Sequence, residues 1–157
     1  MILLILPADN QFYIYGMQTF HLYNYEISAG VARVFLGLLF FFQGYDAVFR
    51  VGIGSVIRTY QNSFASKGIP PFLTVFGSWF TSYVELIGGL LLVFGLFRYP
   101  VMYLLGLDLI VASIAFGIAN PMWDMRFVFP RLALLLFLLS IPAVWDRACL
   151  DALLFNP

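Results

Sequence analysis

Four predominantly apolar stretches most constrain how this chain can fold. They cover about residues 27–49, 72–97, 101–119 and 127–145, and each is close to the roughly 20 residues that an α-helix needs to cross a bilayer. Only 10% of the 157 residues are charged and 62% are hydrophobic, whereas a soluble domain carries about a quarter charged residues. The sequence therefore predicts a multi-pass integral membrane protein.

The connections between these stretches predict how they are arranged. Two of them, residues 98–100 and 120–126, are read as short turns, and short loops join antiparallel neighbours. We therefore expect an all-α, up-down four-helix bundle that forms a single membrane domain over residues 1–157. Residues 1–26 are expected to be an N-terminal extension on the membrane surface, since they are rich in tyrosine. Residues 146–157 are expected to be a short tail.

The first connection is long enough to hold structure of its own. Apolar and aromatic residues recur there at helical spacing, with polar residues opposite, at Ile53, Ile57, Tyr60 and Phe64. This pattern is typical of an amphipathic helix that lies in the membrane interface. Gly68 follows as its stop signal, and Pro70 and Pro71 prevent its continuation.

Small residues on the first stretch predict close helix packing. Gly30, Gly37 and Gly44 are spaced seven apart and share a helix face with Arg33. Because small residues let a second helix approach closely, we expect this face to pack against a neighbour. Arg33 would then point into the bundle.

Each of the four stretches carries one charged residue away from its ends: Arg33, Glu85, Asp108 and Arg131. A charge at that depth is costly and needs a partner. The rise of about 1.5 Å per helical residue places Arg33 within reach of Asp108, and Arg131 within reach of Glu85. The sequence therefore predicts an intramembrane charge network, two ions of each sign, with Glu85 at its centre.

Two interpretations of this network remain open from the residues alone. Buried ion pairs often specify helix packing without any catalytic role. Intramembrane carboxylates also mark proton paths and cofactor sites, so the network is equally well explained as a proton-linked or quinone-adjacent site.

Other residue types narrow the possible functions. Eight basic and eight acidic residues leave no net charge that would attract nucleic acid. His21 is the single histidine, so a haem held by two histidines of one chain is excluded and no metal site is predicted. Cys149 is the single cysteine and is expected to pack rather than react. No residue is indicated as catalytic.

Four short motifs follow one another along the chain: Arg33-Val-Phe-Leu-Gly37, Gly68-Ile-Pro70, Glu85-Leu-Ile-Gly-Gly89 and Cys149-Leu-Asp151. In order and spacing they resemble the DoxX family of small four-span membrane proteins, over about residues 28–154. The positions that match the family pattern are Arg33, Gly68, Pro70, Glu85, Gly89 and Asp151.

The resemblance implies a membrane redox context, because relatives include the membrane subunit of a thiosulfate:quinone oxidoreductase. It implies a subunit of a redox or respiratory assembly, with quinone as cofactor and with lipids and other membrane subunits as partners. Any enzymatic activity would belong to an oxidoreductase complex of which this chain is a membrane subunit. A non-catalytic accessory or scaffold subunit is the first alternative, and a small proton-coupled transporter is a more distant one.

The basic residues of the connections predict an orientation. The first and third connections hold four of them, Arg50, Arg58, Lys67 and Arg126, against two on the other side, Arg98 and Arg147. The positive-inside rule then places those connections in the cytoplasm. We expect a protein of the cytoplasmic (inner) membrane with both termini on the outer side.

Overall fold

All regular elements are helical in the part of the chain that the computed structural model describes, residues 8–119, 121–142, 145–147 and 149–155. Side chains are described for residues 23–119, 126–142, 145–147 and 149–154. The helices are α1 (Ala8–Tyr45), α2 (Ile53–Phe64), α3 (Pro71–Tyr83), α4 (Gly89–Phe94), α5 (Arg98–Ala119), α6 (Pro121–Ser140) and α7 (Leu150–Phe155). Two π-helical turns, Asp46–Arg50 and Val84–Gly88, extend α1 and join α3 to α4. The all-α class is confirmed.

Three helical segments are long and apolar enough to cross a membrane, judged by length and composition: Tyr23–Arg50, Pro71–Phe94 and Arg98–Ala119. They correspond to the first three predicted spans. The fourth predicted span overlaps α6, which has 20 residues. The side chains of residues 121–125, in its first turns, lie outside the described part.

Several predicted boundaries differ from the observed ones. Helix α1 begins at Ala8, so residues 8–26 belong to the same helix as the first predicted span. The predicted turns at 98–100 and 120–126 are wrong, because α5 begins at Arg98 and α6 at Pro121. Pro100 and Pro121 lie in the first turns of these helices, where the missing N–H costs little. The chain turns instead at residues 95–97, where Gly95 and Phe97 have φ of 67° and 50°.

The predicted amphipathic helix of the first connection is confirmed as α2, with Ile53 and Phe64 buried. A short 3₁₀ turn follows and ends at Gly68, whose φ of 69° lies in the left-handed region that glycine tolerates best. Pro71 then opens α3. The glycine and proline signals therefore act as the sequence predicts.

Helix α1 packs closely against α4 and the π-turn before it. A Cβ added at Gly37 would lie 2.9 Å from the carbonyl oxygen of Gly89, and one at Gly44 would lie 2.6 Å from the Cα of Leu86. Such distances leave no room for a side chain. Gly30 has nothing within 4 Å of its added Cβ, so this part of the predicted stripe makes no close contact. The reason is that α4 ends at Phe94, before it reaches that level of α1.

One apolar core lies between α1, α4, α5 and α6. Its largest fully buried members are Leu36, Phe40, Leu92, Met102, Leu105 and Leu135. Helix α2 packs outside this core, against α3. The space between α2, α3 and α5 is therefore bounded by helices without being filled by the core.

Candidate functional site

The first buried ionic cluster forms around Asp146, which is only 3% exposed. The Nε of Arg33 donates to its Oδ1 over 3.1 Å, and the Nη1 of Arg98 donates to its Oδ2 over 2.9 Å. Arg33 also donates to the backbone oxygens of Leu92 and Val93, over 2.9 and 2.7 Å. The predicted Arg33–Asp108 pair is therefore wrong. Depth along a helix axis does not say which side of the helix faces which neighbour.

The segment after α6 folds back onto the bundle and completes this cluster. The rings of Trp145 and Tyr25 stack with centroids 4.2 Å apart. Farther along, the Asp151 carboxylate accepts hydrogen bonds from the backbone N–H groups of Phe97 and Arg98, both 2.8 Å. These N–H groups lie at the start of α5, where a helix has no partners of its own for them. Asp151 is thus a cap supplied from a distant part of the chain.

Substituting Asp151 by alanine should lower the free energy of unfolding by about 0.5–2 kcal/mol, the usual cost of losing a helix N-cap. Thermal unfolding of the purified protein in mild detergent measures this. Leu153→Ala is the matched control in the same helix, since Leu153 is 76% exposed. Equal shifts for the two variants would contradict the capping role.

The second cluster consists of Glu85, Asp108 and Arg131, from the π-turn, α5 and α6. The three groups are close enough to interact electrostatically. However, none of them forms a salt bridge within 4.0 Å to any side chain in the described ranges. The guanidinium carbon of Arg131 lies instead 5.6 Å from the ring centroid of Phe40. The predicted partners Glu85 and Arg131 therefore belong to the same cluster, but they do not form a contact ion pair.

Asp108 is the most isolated member of this cluster. It is 0% exposed, and neither carboxylate oxygen has a hydrogen-bond partner among the residues that the structure describes. Buried polar groups nearly always have such a partner. Both carboxylate oxygens of Asp108 are therefore buried without a hydrogen bond to the residues described.

Glu85 lies in the π-helical turn Val84–Gly88 and is 5% exposed. Such turns inside α-helices occur frequently at functional sites. Ser82 and Ser78, one and two helical turns earlier, are also buried. Together with Glu85 they give this helix one polar face.

This polar face borders a cavity of about 730 Å³, within the usual size range of small-molecule sites. Its walls come from α2, α3, α5 and the end of α1, and most of its lining is apolar. The polar lining side chains are Gln43, Tyr60, Thr74, Ser78, Thr81, Ser82 and Glu85. Gly68 and Pro70, two of the motif positions, line the cavity as well.

Lys67 ties the connection beside the cavity to the end of α5. Its Nζ donates to the backbone oxygens of Ala119, over 2.9 Å, and of Ile118. The last carbonyls of a helix lack partners within it, and a cation is favourable there. Lys67 therefore fixes the α2–α3 connection next to Ile118 and Gly68, both of which line the cavity.

The arrangement suits an amphipathic molecule of low polarity. The apolar walls would hold its hydrophobic part, while Glu85 can exchange a hydrogen bond or a proton with a polar end. Among the side chains described, no three of the types His, Cys, Asp and Glu are grouped so that they could hold a metal ion.

A family model, DoxX, matches residues 29–118. The matched range includes Arg33, Gly68, Pro70, Glu85 and Gly89 and the helices that form the cavity, whereas Asp151 lies beyond it. Neither a curated protein nor a solved structure matches this sequence. Since the matched range covers more than half of the chain, the protein belongs to the DoxX family.

Proposed function

We propose that this DoxX protein binds a membrane quinone in the cavity beside Glu85 and acts as a membrane subunit of a redox or respiratory assembly. The observation that carries the proposal is one carboxyl group, 5% exposed, in the wall of a largely apolar cavity. A quinone has this same division, with an apolar tail and two polar oxygens on its ring.

The lining residues fit such a molecule. Apolar side chains of α3 and α5, such as Leu73 and Val111, would contact the tail. Glu85, Ser82 and Gln43 would lie near a ring oxygen and supply hydrogen bonds. A bound quinone would supply the redox chemistry, because its ring can accept and release electrons and protons. With a single histidine and a single cysteine in the chain, we assign the delivery of electrons to a partner subunit.

The proposal includes the arrangement in the membrane. We infer that α6 crosses as a fourth span, which makes an up-down bundle, and that the protein lies in the cytoplasmic membrane with both termini outside. The basic residues of the first connection then place α2 and the nearby rim of the cavity at the cytoplasmic face. A quinone would enter from the lipid at that level.

Filling the cavity tests quinone binding. A Cβ at Gly77, which lines the cavity, would meet nothing within 4 Å, so Gly77→Leu should fold and occupy part of the volume. We expect its dissociation constant for a photoreactive quinone analogue in liposomes to rise about tenfold or more, which corresponds to about 1.4 kcal/mol. Crosslinks in peptides of α3 and α5 report the site.

Gly117→Leu is the matched control. Gly117 is also a helical glycine with nothing within 4 Å of its added Cβ, but it does not line the cavity. It should leave crosslinking unchanged. Equal crosslinking of wild type and Gly77→Leu would overturn the site. A wild-type protein that binds no analogue but retains its co-purifying subunits would favour the scaffold function.

A further inference from the structure

The two ionic clusters differ in their balance of charge. In the cluster at the end of the bundle, the carboxylate of Asp146 pairs with Arg33 and Arg98, and the carboxylate of Asp151 accepts hydrogen bonds from the backbone N–H groups of Phe97 and Arg98. Among the residues that the structure describes, its two arginines and two carboxylates balance one another in number. In the second cluster, the described side chains supply two carboxyl groups, Glu85 and Asp108, and one guanidinium, Arg131.

This imbalance would leave one uncompensated negative charge in a buried region. The elements packed around Glu85 contribute Gln43 from α1, Tyr60 from α2, Asp108 from α5 and Arg131 from α6. Arg131 is the one cation in this set. An uncompensated buried charge costs several kcal/mol, and a proton bound to one carboxyl group removes it.

We propose that Glu85 and Asp108 together carry one proton, so that their single negative charge is balanced by Arg131, and that Glu85 exchanges this proton with the polar end of the molecule bound in the cavity. The nature of that molecule rests on the proposed function; the proton does not. In the exchange one O–H bond of a carboxyl group breaks, one forms on an oxygen of the ligand, and no electron moves. The cluster is then left with a net negative charge that favours the return of a proton.

The placement of the two carboxyl groups gives them different roles. Glu85 lines the cavity, whereas Asp108 does not, although its neighbours Leu107 and Val111 do. Glu85 is thus the group that reaches a ligand. Asp108 acts through Glu85, because its charge keeps the proton in the cluster.

A hydrophobic carbodiimide tests this in purified protein without quinone, because it adds to a carboxyl group that carries a proton. We expect Glu85 of the wild type to be modified at neutral pH, as located by mass spectrometry of the peptides. In Asp108→Asn, Glu85 faces Arg131 without a competing carboxyl group, so the fraction of Glu85 that carries a proton should fall. Its modification rate should fall by about tenfold, since the loss of one like charge beside a carboxyl group shifts such an equilibrium by about one power of ten.

Asp46→Asn is the control variant, because it makes the same chemical change at an exposed carboxylate. It should leave the modification of Glu85 unchanged. An unmodified Glu85 in the wild type, or an unchanged rate in Asp108→Asn, would overturn the proposal.

If Asp108→Asn cannot be purified, infrared spectroscopy of the wild type decides. A carboxyl C=O stretch at neutral pH that shifts in D₂O and is lost in Glu85→Gln supports the shared proton, and its absence overturns it. Failure of the quinone site would appear separately, as loss of the crosslinking that Gly77→Leu is designed to test.

Discussion

Replacing Asp146 by alanine should lower the free energy of unfolding by about 3–5 kcal/mol, the usual cost of breaking a buried ion pair from one side. The carboxylate is buried and bonds Arg33 and Arg98 at once. Without it, the buried Arg33 and the largely buried Arg98 would lose the carboxylate that pairs with both and would repel each other as like charges.

Unfolding of the purified protein in mixed detergent micelles measures this change. Asp46→Ala is the matched control: its carboxylate also pairs at 2.9 Å, with Arg50, but both side chains are well exposed. Its loss should cost no more than about 0.5 kcal/mol. A double-mutant cycle should show coupling between Arg33 and Asp146 and none between Arg33 and Asp108. Coupling of Arg33 to Asp108 would restore the pairing expected from the sequence.

Replacing Gly89 by alanine should destabilise the protein by about 1–3 kcal/mol or more, as overpacking does. The new Cβ would lie 2.8 Å from both the carbonyl oxygen of Gly37 and the Cα of Phe41. Because these are backbone atoms, α1 and α4 would have to move apart. A side chain could turn aside, but a helix backbone cannot.

Gly30→Ala is the control for this substitution, since Gly30 is also a helical glycine, in α1, but has open space around it. It should be neutral, or stabilising by up to about 1 kcal/mol through better helix propensity. The same unfolding assay compares the two variants. A loss of stability in Gly30→Ala as large as in Gly89→Ala would contradict the close approach of α1 to α4.

Local signals in the sequence were sufficient for part of the fold. The bounds of α2 follow from the spacing of its apolar residues, and Gly68 and Pro71 mark the stop and the next start. These features depend on residues close in the chain. The burial of Arg33 and Glu85 could also be predicted, because a charge in an apolar stretch has few other places to go.

Features that depend on tertiary packing could not be predicted in this way. The sequence predicts that Asp146 belongs to a tail, and nothing local indicates that this segment folds back to reach Arg33. Lys67 similarly bonds carbonyl groups some fifty positions away in the chain. The π-helical turn at Glu85 has no sequence signature of its own, since it depends on how two neighbours contact the same helix.

The π-turn also sets the rotational phase of the second span. Each residue advances an α-helix by about 100°, and a π-turn takes up one residue more than an α-turn. If Val84–Gly88 formed a regular α-helix, Gly89 would follow Ser82 by about two full turns and would share the face of Ser78 and Ser82 at the cavity instead of lying opposite Phe41. The extra residue in the π-turn rotates the part of the helix that follows it. As a result, the serines face the cavity and Gly89 faces α1.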